Sequence, residues 1–150
     1  MKLFKNIEGK SVELIKYSKS ILVKKPDVTI YVGTDSQNCK KHTKYVTVVA
    51  FRYGLRGAHI IYQMESIPKV RDQFVRLFKE AEMSIEIAEY LKSKNIAINA
   101  IDLDYNSDKK FDSNKVVAAA RGWCESLGYK VNIKPDEQVA SRAADMIANK

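Results

Sequence analysis

The chain has 150 residues, of which 45% are hydrophobic and 29% charged; that is enough for one domain with its own core, and no run approaches the roughly 20 apolar residues of a membrane-spanning helix. Its start, Met1-Lys2-Leu3-Phe4-Lys5, lacks a signal-peptide run, so a cytoplasmic protein with no membrane partner is expected. Lys and Arg outnumber Asp and Glu by 26 to 18, a net charge of +8 that concentrates polyanions near the surface and makes nucleic acid the natural partner. Cys39 and Cys124 stand far apart with no second pair, which excludes a disulfide framework or zinc site and leaves two free thiols.

No repeat or linker divides the sequence, so residues 1–150 read as a single domain, with 1–27 as an N-terminal flanking helix region. The first helix is expected from Ser11 to Lys24, with Leu14, Ile15, Ser18, Ile21 and Leu22 on one face and Pro26 beyond its end. The β-branched and aromatic run from Val28 to Asp35 reads as a strand ending near Asp35. Tyr45–Tyr53 and His59–Glu65 read as two more, joined by the glycine-bracketed turn Gly54-Leu55-Arg56-Gly57, and the polar stretch Asn38–Lys44 turns the chain between the first two.

After Pro68 the period changes. Phe74, Leu77, Phe78, Ala81, Ser84, Ile85, Ala88 and Leu91 recur at helical spacing within Arg71–Lys94, a stripe that needs a sheet beneath it. A strand follows from Ile96 to Tyr105, then a helix from Asn114 to Leu127 with Ser113 as N-cap and Gly128 as the αL residue past its end. Tyr129–Ile133 is a short strand, and the last helix spans Val139–Ala148. A three-stranded meander followed by two crossover strands makes a mixed α/β sheet with helices on its faces.

Tracing direction through this order brings Asp35 and Asp104 to the end of the sheet where the first strand finishes. Glu80, about nine residues or roughly 13 Å down a descending helix, lies in the upper half, and Asp145 falls early in a helix that starts at the same end. Carboxylates collected at the carboxyl ends of parallel strands repel one another unless cations neutralise them. Two hard ions, Mg²⁺ or Mn²⁺, about 3.5–4 Å apart would activate a water and stabilise the leaving oxygen of a phosphodiester. Asp102 shares a strand face with Asp104, and Glu82 flanks the opposite edge of the helical stripe from Glu80, so both remain alternates. Lys40, Lys41, His42 and Lys44 in the first hairpin turn, and Lys134 before the last helix, lie at the same end, where lysines hold phosphates or simply solubilise a turn. Trp123 and most tyrosines suit half-buried positions better than base-stacking platforms, and His59 begins a strand at the opposite end.

Gly33-Thr34-Asp35-Ser36-Gln37, the Glu80 and Ser84 pair, Asp104-Tyr105-Asn106, Lys134-Pro135 and Ala144-Asp145, in that order and spacing, resemble the bacterial ribonuclease H-like YkuK family over nearly all of the chain after the first helix. The resemblance implies a ribonuclease H fold: a five-stranded mixed sheet in the order 3-2-1-4-5 with strand 2 antiparallel. It also implies a DEDD-type metal site on Asp35, Glu80, Asp104 and Asp145, and it is Asn106 that favours Asp104 over Asp102. The activity expected is divalent-metal-dependent cleavage of RNA, an RNA–DNA hybrid or branched DNA. A non-catalytic nucleic-acid-binding or assembly module on the same fold is the alternative.

Overall fold

The computed structural model describes residues 1–54, 57–103, 113–133, 144 and 146–148. The N-terminus departs from the expected flanking helix region: Leu3–Asn6 (β1) and Ser11–Glu13 (β2) form a short antiparallel hairpin. Its turn closes with Gly9 N–H donating to the Asn6 carbonyl at 2.9 Å, at a φ of 83° that a side chain would strain. The first helix, α1, therefore begins at Leu14 and runs to Lys24. Glu13 caps it, its carboxylate accepting from Ile15 N at 3.2 Å and Lys16 N at 2.7 Å; those donors would otherwise be unsatisfied.

The meander is longer than its apolar runs. β3 spans Thr29–Asn38, β4 His42–Arg52 and β5 Ala58–Pro68, so the first turn is only Cys39–Lys41. Lys44 sits inside β4, paired with Gln37 and Ser66 rather than in a turn; ladder pairing carries polar residues into a strand that periodicity began too late. At the second turn, Gly54 and Gly57 both have positive φ. The long helix, α2, spans Gln73–Ser93 with Asp72 as N-cap, and Ala100–Leu103 forms β6. Ser113–Ser126 is α3 and Val131–Ile133 is β7. Gly128, at φ 90°, ends α3 as expected, with Tyr129 N–H reaching back to the Cys124 carbonyl at 3.1 Å.

The sheet order is β2-β1-β5-β4-β3-β6-β7. The five strands from β3 onward keep the expected 3-2-1-4-5 arrangement, with β4 antiparallel to β3 and β6 and β7 parallel to it. Seven strands replace five because the N-terminal hairpin pairs with β5 through Lys5 and Asn6. This mixed α/β architecture is that of a ribonuclease H-like fold.

Helices α1, α2 and α3 cover one face. Ile30, Val32, Val49, Phe51 and Ile61 meet Leu14 and Ile21 of α1 and Ile87 and Leu91 of α2, and each such fully buried side chain stabilises by roughly 1.5–3 kcal/mol. Ile101, Leu103 and Val131 meet Ala81, Ile85 and Ala88 of α2 and Val116, Ala120 and Cys124 of α3. The opposite face carries Val46, Val48 and Ala50 under Ala144, Ile147 and Ala148 of the last helical segment. Both cysteines are free, Cys39 exposed and Cys124 buried. Among the described residues, no helix is long and apolar enough to cross a membrane.

Candidate functional site

β3 delivers its side chains alternately to the two faces, and this alternation decides which acids meet. Thr34 and Ser36 point to the helix-covered face, since Thr34 Oγ1 lies 2.8 Å from Ser84 Oγ of α2 and the Ser36 hydroxyl donates to Glu80 Oε2. Gly33, Asp35 and Gln37 therefore point to the other face, which we call the acid face.

Asp102 joins Asp35 there. It pairs in register with Gly33 across the parallel β3–β6 ladder, so it shares the glycine's face and stands diagonally from Asp35 at the usual sheet spacing of roughly 7–8 Å between α-carbons. Gly33 places no side chain between the two. Asp102 is buried, and Asn132 of β7, its ladder partner, donates to Asp102 Oδ1 at 3.1 Å. Asp35 is half-buried. Lys44 pairs with Gln37 and so belongs to the same face, diagonal to Asp35 on the β4 side. Ala144, Ile147 and Ala148 pack on the β4 part of this face.

Glu80 occupies a different environment. It is 3% exposed while Glu82 is open to solvent, so of the two helix glutamates it is Glu80 that turns toward the sheet. It lies against the helix-covered face under Ser36, away from the side to which Asp35 points. Arg76, one turn earlier on α2, donates to Ser36 Oγ at 3.0 Å and to the Ser36 carbonyl at 3.4 Å, so Ser36 links the guanidinium to the carboxylate. Thr34, Thr47 and Ser84 continue the polar seam, with 3.0 Å between the two threonine hydroxyls. Tyr45, fully buried at its edge, donates to the Arg76 carbonyl at 3.3 Å. Burial, and then the charge of Glu80, push the Tyr45 phenol up to about 12.

Asp104, Asp145 and Lys134 lie outside the described residues. Among the described residues, no group of three or more His, Cys, Asp or Glu side chains is close enough to hold a metal ion; the pair on the acid face is Asp35 with Asp102. Lys40 and Lys41 are exposed in the β3–β4 turn. His59 is at the lower end, its Nδ1 3.4 Å from the Tyr17 hydroxyl. Reading the sequence overlooked Asn132, the one visible signal being a polar residue between two β-branched ones in a short strand. It also missed the hydroxyl seam, in which Thr34, Ser36 and Thr47 look like ordinary strand residues and Ser84 like an ordinary helix serine.

A family model described as ribonuclease H-like matches residues 13–149. The chain belongs to the ribonuclease H-like YkuK family. Comparison with curated proteins and with solved structures gave no significant match. Within this family fold, β3 stands where the sheet order turns: β4, which follows it in the chain, lies on one side, and β6, reached from β5 through α2, lies on the other. Open α/β sheets bind ligands at such a reversal.

Proposed function

We propose that this ribonuclease H-like protein is a divalent-metal-dependent nuclease whose acids work on the acid face, with Asp35 as the central ligand. The observation that carries this reading is the Asp35–Asp102 diagonal across Gly33, at the chain reversal and with Lys44 beside it. The oxygen donors suit a hard cation, Mg²⁺ or Mn²⁺. Asp35 and Asp102 supply two carboxylates, and Asp104 and Asp145 are the proposed remainder of the set. When bound, the metal supplies an activated water and neutralises charge developing on a phosphodiester.

The protein's own groups hold and orient. Asn132 donates to the Asp102 carboxylate and so fixes its orientation, and Lys44 with Lys40, Lys41 and Lys134 receives the phosphate backbone of RNA, an RNA–DNA hybrid or branched DNA. Glu80, proposed as a ligand on the resemblance, is engaged by Ser36 on the far side of β3 and serves the site by fixing the strand segment that carries Asp35; Glu82, open to solvent, is the weaker alternate.

The test is cleavage of a panel of labelled single-stranded RNA, RNA–DNA hybrid and four-way DNA junctions with Mg²⁺ or Mn²⁺. Cleavage that depends on metal and falls about a thousandfold in Asp35→Asn supports the proposal, a fall matching several kcal/mol of charge stabilisation. A panel left intact with both metals rejects it. The engagement of Glu80 by Ser36 favours a second reading, a non-catalytic nucleic-acid-binding module, for which salt-sensitive binding persists without hydrolysis.

A further inference from the structure

At the start of α2 three aromatic rings form one run. Phe74 and Phe78 are 6.0 Å apart between centroids with 10° between their planes, and Phe78 and Trp123 of α3 are 5.3 Å apart with 14°. Phe78 and Trp123 are half-buried against the α2–α3 core. Phe74, the terminal ring, is 38% exposed. Two near-parallel steps ending on an exposed ring make a platform on which another flat π-system can continue the series.

The chain segments next to this ring are cationic and tied together. Lys69 N–H donates to the Lys41 carbonyl at 3.2 Å and Val70 N–H to Thr43 Oγ1 at 2.9 Å. These bonds fasten the segment leading into α2, with Lys69 and Arg71, to the β3–β4 turn, with Lys40 and Lys41. Lys79 lies one turn beyond Phe74, its ammonium 6.0 Å from the Tyr45 ring. The nearby acid in that segment, Asp72, is committed to capping α2 through Val75 N at 3.0 Å.

We propose that this rim binds single-stranded nucleic acid, with one unpaired base stacked on Phe74 as the next ring of the run and Lys40, Lys41, Lys69 and Arg71 holding the flanking phosphates. A duplex hides the faces of its bases, whereas a single strand offers each base to an aromatic platform. The proposal deepens the nucleic-acid part of the function proposed above and rests on it, but it is independent of hydrolysis.

Trp123 is the only tryptophan, so its fluorescence reports on the stack directly. The experiment titrates the full chain, in EDTA, with an oligothymidylate of about 12 nucleotides, within the reach of one binding module. A duplex of the same length and an abasic oligomer of the same charge serve as comparisons. Saturable Trp123 quenching is expected with the single strand, at an affinity about tenfold or more above that of duplex or abasic oligomer. Phe74→Ala should remove that preference, a loss of about tenfold, or 1.4 kcal/mol. Phe74→Leu keeps an apolar side chain at the position and should lose the preference while melting like the unaltered chain.

Equal affinity for all three oligomers overturns the proposal, as does undiminished binding by Phe74→Leu. So does a concentration-dependent dimer, abolished by Phe74→Leu, in a protein without single-strand preference, since the platform would then serve a second copy of the chain. Base-dependent binding without cleavage by metal would leave this proposal standing and remove the nuclease reading; cleavage without base preference would do the reverse.

Discussion

One strand, β3, builds two unlike polar environments on its two sides. On the helix-covered side, Ser36 stands between the Glu80 carboxylate and the Arg76 guanidinium, and Thr34, Thr47 and Ser84 satisfy one another. On the acid face, two carboxylates stand diagonally around a glycine, with an amide from Asn132 on one of them. The first arrangement joins opposite charges through a hydroxyl and holds α2 against the sheet. The second sets two like charges on one face, an arrangement that a bound cation would favour. Acidic residues of similar appearance in the sequence thus stand in different surroundings: Glu80 is buried and engaged by Ser36 under α2, while Asp35 and Asp102 share the other face of the sheet, where the proposed function places its metal.

The sharpest way to break that contrast is Glu80→Ala. Removing the carboxylate leaves Ser36 and the Arg76 charge facing a buried gap, and a loss of about 3 kcal/mol in urea-unfolding stability is expected. Glu80→Gln keeps an acceptor for Ser36 and should lose roughly half as much. If Glu80→Gln instead retains full stability and loses metal binding, the division between the two sides of β3 is wrong.

The acid face should respond to metal and little else. Mn²⁺ at 100 times its dissociation constant is expected to stabilise the protein by about 2.7 kcal/mol, seen in differential scanning calorimetry as a rise of roughly 5–10 °C for a chain of this size. Asp35→Asn and Asp102→Asn should each flatten that rise, while Thr34→Val, a change on the other side of the same strand, should leave it intact. A metal-induced shift of equal size in Asp35→Asn would show that the cation binds elsewhere.

What the sequence made legible follows from how local each feature is. The α2 stripe from Phe74 to Leu91 has one dominant period, and the helix was found within two residues of each end. The β-branched run at Val28 marked β3, but its last residues, Ser36 to Asn38, are strand only because β4 pairs with them. β1 was invisible for the same reason: Phe4 alone is buried, and the hairpin exists through its ladder with β5, over fifty residues away. A period of two puts Asp102 and Asp104 on one strand face, so periodicity does not choose between them; the resemblance favours Asp104, which lies outside the described residues, and the pairing with Gly33 fixes the register of Asp102 alone. Glu80 and not Glu82 turns inward, and periodicity, which leaves the two on opposite edges of the stripe, could not say that Ser36 would meet it.

The smallest effect at neutral pH, and the finest probe of the seam, comes from Tyr45. Its hydroxyl makes one long hydrogen bond to the Arg76 carbonyl, at 3.3 Å, so Tyr45→Phe should cost under about 1 kcal/mol at pH 7. At alkaline pH the balance changes. The folded phenol holds its proton up to about 12, against 10.0 in the open chain, because ionising it would bury a charge beside Glu80. Its contribution to stability is therefore complete below pH 10 and is lost as the pH rises toward 12, where the unfolded chain ionises first and gains the advantage. Urea midpoints across that window should fall less steeply in Tyr45→Phe than in the unaltered chain, by the slope of one proton. Exchanging Glu80 for Gln should also soften the fall, by removing the neighbouring charge that helps hold the phenol protonated. Equal slopes in all three proteins would mean that Tyr45 ionises freely and that the seam is open to water.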